Sequence, residues 1–272
     1  MTPEPPRPND PNWHEFLTKG DSKERRVRRI FRHLPHGPRC KLCAAPFGGA
    51  AAPVMRMIGK RPSETNPTVC NSCFTYMAKH HGGAEIEASF MFADIRGSTA
   101  LAESMSSAQF HALLNRFYVA ASRVVFDHEG SVDKFVGDEV VAFFFPLLTG
   151  PGHASGAVAS AVDLLRATGH EDPAGPWAPV GAGVATGLAW VGAVGDERRT
   201  DITAVGDMVN TTARLAGAAK AGEILVTVEA AAAAGMDPTL EPVSLELKGK
   251  QSATWVVRLM VNPAAVGGRP VA

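Results

Sequence analysis

The chain has 272 residues, 45% of them apolar and 20% charged, and its 27 basic side chains are balanced by 27 acidic ones. That length suits one sizeable domain plus a smaller module, and the balanced charge excludes the global basic field on which nucleic-acid binders depend. No apolar run reaches the ~18–20 residues needed to span a bilayer and no secretory signal is evident, so no transmembrane segment is expected.

Residues 1–12 are Pro-rich and polar, and residues 262–272 are rich in Gly, Pro and Ala; both read as disordered tails. Residues 13–82 read as a basic amphipathic helix followed by a metal module. Val27, Ile30, Phe31 and Leu34 fall at i, i+3, i+4 and i+7. This stripe is expected to pack on the protein itself while the arginines face water, with a membrane-surface or partner-binding helix as the alternative. Next come Cys40-Lys41-Leu42-Cys43 and, after 26 residues, Cys70-Asn71-Ser72-Cys73. Paired thiolates at this spacing suit one tetrahedral structural Zn²⁺; an iron–sulfur cluster uses the same four ligands, and a redox dithiol is a further alternative. His80 and His81 are conceivable substitute ligands but read as loop histidines. Cysteines of this kind argue for a reducing compartment, with the cytoplasm as the default. A segment this small needs its metal to fold.

Gly82-Gly83 reads as the joint to the main domain, residues 83–261. A first strand over 85–95 carries a lone acid, Asp94, before Arg96 and Gly97, and Ser98 or Thr99 is placed to cap the next element. Residues 108–128 show helical spacing of Phe110, Leu113, Leu114, Phe117, Ala120, Val124 and Val125. Two Val/Phe-rich runs over 131–145 flank Gly137-Asp138, the signature of a tight hairpin. A second long helix is expected over 153–168, then a strand over 180–194, a short turn at 195–199 and a strand over 200–205. A Gly-Asp turn and a helix over 207–219 come next; Asn210 and Arg214 sit at i and i+4, on one face. A strand at 223–228, a helix at 229–234 and strands at 243–247 and 254–260 close the chain. This mixture indicates an α+β sandwich. Singly, Asp94 and Asp138 are ordinary turn or capping residues, but two carboxylates at strand ends also suit hard cations that handle phosphates. Glu139 reads as a strand-surface charge.

Four stretches, in order and spacing, resemble the catalytic domain of class III nucleotidyl cyclases. They are Phe92-Ala93-Asp94-Ile95-Arg96-Gly97-Ser98-Thr99, Lys134-Phe135-Val136-Gly137-Asp138, Thr203-Ala204-Val205-Gly206-Asp207-x-Val209-Asn210-x-x-Ala213-Arg214-Leu215 and Leu247-Lys248-Gly249-Lys250. The resemblance covers about residues 85–260 and implies a ferredoxin-like core and a homodimer with its sites at the interface. It implies that Asp94, Asp138 and the Ile95 carbonyl bind two Mg²⁺ or Mn²⁺ ions. It further implies that Asn210 orients the ribose, that Arg214 stabilises the transition state and that Lys248 holds the triphosphate, Lys250 being the neighbour most easily mistaken for it.

Lys134 and Thr203 would meet the base. A lysine donates equally to adenine N1 or guanine O6, and a threonine hydroxyl donates or accepts, so hydrogen bonding leaves the base open. Lys with Thr looks like the threonine-bearing adenylate cyclase branch, which implies ATP and a possible bicarbonate response. A guanylate cyclase, a non-catalytic nucleotide-binding protein and a redox- or metal-sensing scaffold are the alternatives. Ser98 departs from the family, where Phe is common.

Overall fold

The computed structural model describes residues 9–19, 22–34, 37–80, 82–196 and 199–263. His81, most of both expected tails and the centre of the turn at 195–199 lie outside the described residues. The chain forms two compact units. The first comprises Met1–Ile86, Phe145–Gly150 and Leu188–Gly206, and the second Glu87–Phe144, Pro151–Gly187 and Asp207–Ala272.

In chain order the elements are α1 (Pro11–Thr18), α2 (Ser22–His33), α3 (Ala52–Met57), α4 (Asn71–Lys79), β1 (Gly82–Ile95), α5 (Ser98–Ser104) and α6 (Ser107–Asp127). The hairpin β2 (Ser131–Val136) and β3 (Glu139–Phe144) comes next, then α7 (Pro146–Thr149), α8 (His153–Ala167), β4 (Val180–Asp196) and β5 (Arg199–Val205). The chain closes with α9 (Asp207–Ala218), β6 (Glu223–Thr227), α10 (Val228–Ala233), β7 (Val243–Leu245) and β8 (Thr254–Met260). Among the described residues no helix is long and apolar enough to cross a membrane.

In the second unit the strands run in the order β2-β3-β1-β4-β6-β8-β7. The succession β1-α6-β2-β3-α8-β4 with spatial order β2-β3-β1-β4 is the ferredoxin-like arrangement that the motifs imply. A capping box starts α6, Ser106 accepting from the Gln109 amide while the Gln109 side chain accepts from the Ser106 amide. Phe117, Ala121, Val124 and Val125 of α6 and Ala157, Ala161, Leu164 and Leu165 of α8 pack on Met91, Ala93, Val140, Ala142 and Phe144 in one core. A smaller cluster of Ala185, Leu215, Leu225, Leu247 and Val256 seats α9.

Close approach there requires a glycine. A Cβ on Gly183 would lie 2.5 Å from the Ala216 amide nitrogen and 2.7 Å from both Leu215 Cβ and the Thr212 carbonyl oxygen.

In the first unit α1 begins at Pro11 with Asp10 as its N-cap, inside the stretch expected to be tail, and the Asp10 amide donates to the Gly83 carbonyl at 2.9 Å. Trp13 is fully buried and its Nε1 donates to the His80 carbonyl at 2.7 Å. Gly82-Gly83 opens β1 rather than forming a free joint; a Cβ on Gly83 would come 2.5 Å from the Val191 carbonyl oxygen.

The stripe of α2 is only half as expected. Phe31 is buried, but Val27 and Ile30 are exposed, and the buried inward residue is Arg28. Its guanidinium donates to the Leu42 and Lys41 carbonyls. Those peptide carbonyls need a donor when buried, and the arginine supplies it. Two further expectations are corrected. Ser98 lies inside α5, whose N-cap is Gly97 at φ +69°, and β7 stops at Leu245, beyond which Leu247 is a buried anchor for a loop.

Gly183→Ala is expected to destabilise the protein by about 1–3 kcal/mol, since the methyl meets helix backbone rather than a movable side chain. Chemical denaturation checks this; an unchanged midpoint would show that α9 can shift at no cost.

Candidate active site

The antiparallel ladder of β1 and β3 sets Asp94 opposite Glu139, and Asp138 occupies the two-residue turn of the β2–β3 hairpin after Gly137 at φ +61°. The Ile95 amide donates to the Asp138 carbonyl at 3.3 Å. Three carboxylates therefore crowd one corner, and Glu139 belongs to the crowd rather than to an open surface. Burial, then the neighbouring Asp138 carboxyl group, pushes Asp94 up to about 7. Burial also opposes the Asp138 carboxylate, but the nearby Asp94 and Ser98, its own amide and the Arg96 charge hold it below the usual range. Glu139 is raised by burial and by Asp138.

One Asp94 oxygen, Oδ2, pairs with Arg96, while Oδ1 is buried with no hydrogen-bond partner. A buried acceptor without a donor is costly, and in a cluster of acids it fits the inner ligand of a hard cation. Arg96 also donates to the Gly217 carbonyl at 2.9 Å.

The second group stands on α9. Asn210 is exposed and Arg214 half-buried, and the guanidinium lies over Gly249, where a Cβ would meet Arg214 Nη2 at 3.4 Å. The loop carrying Lys248 is pinned on both sides: Leu247 is buried, and Lys250 makes an ion pair with Asp207 at the start of α9. Lys248 itself is exposed. Among the described residues no hydrogen bond or ion pair joins Asp94 or Asp138 to Asn210, Arg214 or Lys248.

Lys134 follows a register shift at Asp133, is half exposed, and pairs at 3.1 Å with the buried Asp133 carboxylate. Thr203 belongs to the first unit, on β5 opposite Gly192. Sequence reading missed three supports: Arg96, Lys250 as the Asp207 partner, and Tyr118. The last stacks on Phe135 with centroids 4.2 Å apart and donates its hydroxyl to the Gly137 carbonyl. Its place within the apolar periodicity of α6 was the available signal.

In the first unit the Sγ atoms of Cys40, Cys43, Cys70 and Cys73 all lie within 4.8 Å of one another. Cys43 and Cys70 are 3.7 Å apart, against about 3.8 Å between sulfurs around a tetrahedral zinc. The Cys70 amide donates to Cys40 Sγ at 3.3 Å. Hydrogen bonds from its three partners hold Cys40 well below the ordinary thiol range, Cys43 contributing most, and the bond to Cys40 drives Cys43 and Cys73 up. Lys60 stands close enough that the four sulfurs raise its pKa despite the opposing effect of burial. Four mutually reachable thiols beside a cation fit a thiolate metal site. His80 is exposed, and its ring lies against Tyr76 in a tilted contact with centroids 4.7 Å apart.

The sequence profile of the adenylate and guanylate cyclase catalytic domain matches residues 84–258, and the chain belongs to that family. Two uncharacterized proteins of Mycobacterium tuberculosis are similar to it, one 35% identical over 139 residues and the other 39% over 142; each match covers 51% of this chain. The matched region is 25% and 24% of those relatives, so the chain corresponds to about a quarter of their length. Among solved structures, the guanylyl cyclase Cya2 is similar with a TM-score of 0.58 and 26% identity over 64% of this chain and 93% of that one. The adenylyl cyclase CyaB from P. aeruginosa has the same TM-score and identity, over 70% of this chain and 99% of that one.

Because the Asp94 pKa is raised in the fold, its contribution to metal-free stability is present below the unfolded value near 4 and is lost as pH rises toward 7. A cation selects the ionised form, so added Mg²⁺ or Mn²⁺ should raise the melting temperature more at pH 8 than at pH 5.5. Asp94→Asn should remove that difference. Equal shifts at both pH values in the unaltered protein would contradict a cation at these carboxylates.

Proposed function

We infer that this protein converts ATP to 3′,5′-cyclic AMP and pyrophosphate at sites shared between two copies of the chain. The observation that carries the reading is the Asp94–Asp138 corner, with a buried, partnerless carboxylate oxygen at a strand end, within a domain of the cyclase family.

Asp94, Asp138 and the Ile95 carbonyl would hold the divalent ions. The chemistry supplied by two bound Mg²⁺ or Mn²⁺ ions is a lowered pKa of the ribose 3′-hydroxyl and neutralised phosphate charge. Arg214 meets the charge that grows on the α-phosphoryl oxygens. Asn210 holds the ribose so that its 3′-oxygen lies in line with the bond to pyrophosphate. Lys248, exposed on a loop fixed at Leu247 and Lys250, holds the triphosphate. Lys134 and Thr203 contact the base. Their hydrogen-bonding capacity accepts adenine or guanine, and relatives of both specificities are similar to this chain; the Lys/Thr combination favours ATP. Neither the described residues nor the comparisons add support for a bicarbonate response.

Incubation with ATP or GTP and Mg²⁺ or Mn²⁺ should give cyclic AMP and pyrophosphate from ATP. Product from GTP alone would overturn the base, and no product from either would overturn the reaction. In the family the metal aspartates and the base-contacting lysine of one chain serve different sites. Mixed Lys134→Ala and Asp138→Ala chains should therefore restore about a quarter of wild-type sites under free exchange. Mixed Asp94→Ala and Asp138→Ala chains should restore none. A dead first mixture under demonstrated exchange, or a live second one, contradicts the shared site.

The four cysteines are assigned one structural Zn²⁺ per chain, supported by their mutual distances. Elemental analysis should return one zinc per chain. Iron with visible absorbance would replace zinc by an iron–sulfur cluster, and absence of both would remove the metal.

A further inference from the structure

The strand that carries Thr203 belongs to the same compact unit as the four-cysteine module. Two side chains of that module grip it at consecutive residues. Lys41, between Cys40 and Cys43, places its Nζ 2.9 Å from Asp201 Oδ1, and its side chain is only 8% exposed. Asn66, four residues before Cys70, is buried and donates from Nδ2 to the Thr200 carbonyl at 3.0 Å. Thr200 is itself fully buried.

Both grips are fixed from inside the module. The Lys41 amide donates to the Thr68 carbonyl at 2.9 Å, joining the first cysteine pair to the approach of the second. The Asn66 side-chain oxygen accepts from the Thr68 hydroxyl at 2.6 Å and from the Thr68 amide at 3.1 Å. Asp201 and Thr203 lie opposite Val194 and Gly192 on β4, and alternation along a strand sends their side chains to one face. The clamp therefore acts two residues from the threonine and on its own face of β5.

We propose that Lys41 and Asn66 are positioning residues for nucleobase recognition: through Asp201 and Thr200 they fix β5, so that metal loading of the cysteine cluster sets where Thr203 stands. The proposal rests on Thr203 contacting the base. The loops that carry Lys41 and Asn66 run within and between the cysteine pairs, so metal binding fixes their geometry; β5 is laddered to β4 along its length, and losing either module contact removes part of the remaining hold on it. The metal module is then part of the base-recognition arm, and emptying it changes nucleotide selection before it changes the chemical step.

Amide exchange and kinetics on the full chain test this together. In the zinc-loaded protein, Lys41→Ala, Asn66→Ala and Asp201→Ala should each raise exchange over residues 200–205 about tenfold or more. Chelation of the metal should do the same, while residues 157–165 of α8 stay protected as an internal control. Lys41→Ala should raise KM for ATP and lower the ATP-to-GTP preference with kcat within about twofold, and Lys41→Arg should restore both. Asp201→Ala removes the same contact without touching the module, so its result stands if Lys41→Ala fails to retain metal. Unchanged exchange at 200–205 after chelation overturns the coupling to the metal. Loosened exchange with unchanged KM and base preference overturns the positioning role. If the wild-type chain turns over neither nucleotide, the cyclase reading falls with the positioning role, while the exchange arm still decides whether the module clamps β5.

Discussion

Two like charges are forced together where β1 runs out beside the turn of the β2–β3 hairpin, and the second unit is built in a way that keeps them there. Pairing from Ser89 with Phe144 through Asp94 with Glu139 is uninterrupted. Met91, Ala93 and Ile95 on one strand and Val140, Ala142 and Phe144 on the other face the same α6–α8 core. A slip of one residue would turn that apolar set out of the core and carry Asp94 away from the turn. Core packing thus holds the acids together in a half-buried corner, where burial first, and the neighbouring Asp138 and Glu139 after it, raise the Asp94 pKa.

Helix α9 is the second fixed part. At its N-terminus Asp207 suits the positive end of the helix dipole and binds Lys250; at its C-terminal end Arg96 donates to the Gly217 carbonyl. The helix is therefore held by charge at both ends and by close contact between them. Gly183 lets its backbone lie on β4, and Gly249 leaves room for the Arg214 guanidinium. Since Arg96 pairs with Asp94 as well, the residue that steadies one carboxylate also steadies the helix that carries Asn210 and Arg214.

Legibility in the sequence depends on whether the cause is local. The hairpin turn at Gly137-Asp138, the length of α6 and the i, i+4 placement of Asn210 and Arg214 are set by neighbours along the chain, and so is the element order that defines the fold class. Arg28 defeats the α2 reading because its partners are peptide carbonyls of another loop, which no helical periodicity reports. Lys250 and Asp207 are 43 residues apart, Arg96 and Gly217 are 121, and Lys41 and Asp201 are 160. Such pairs are set by topology, and charged residues look alike in sequence whether they meet water or one another. The long reach also explains why Leu188–Gly206 reads in sequence as part of the catalytic body, although its contacts gather it with the cysteine module.

The cysteine module combines a few buried apolar side chains, Val69 and Met77 among them, with a dense set of polar contacts around its sulfurs. Its first pair is followed by Ala44 in a left-handed conformation, φ 60°, which costs a non-glycine residue about 1 kcal/mol or more. Arg28 and Arg39 sit against it, giving their donors to backbone carbonyls, Arg39 to those of Phe31 at 2.8 Å and Ala44 at 3.3 Å. Four thiolates around a divalent ion leave an excess of negative charge, and Lys60 is the nearby ammonium whose pKa they raise. The site thus combines one left-handed alanine, a buried Arg28, a partly buried Arg39 and clustered sulfurs. A metal bound by the four sulfurs would tie the two cysteine pairs together, and the loops within and between them are those that present Lys41 and Asn66 to β5.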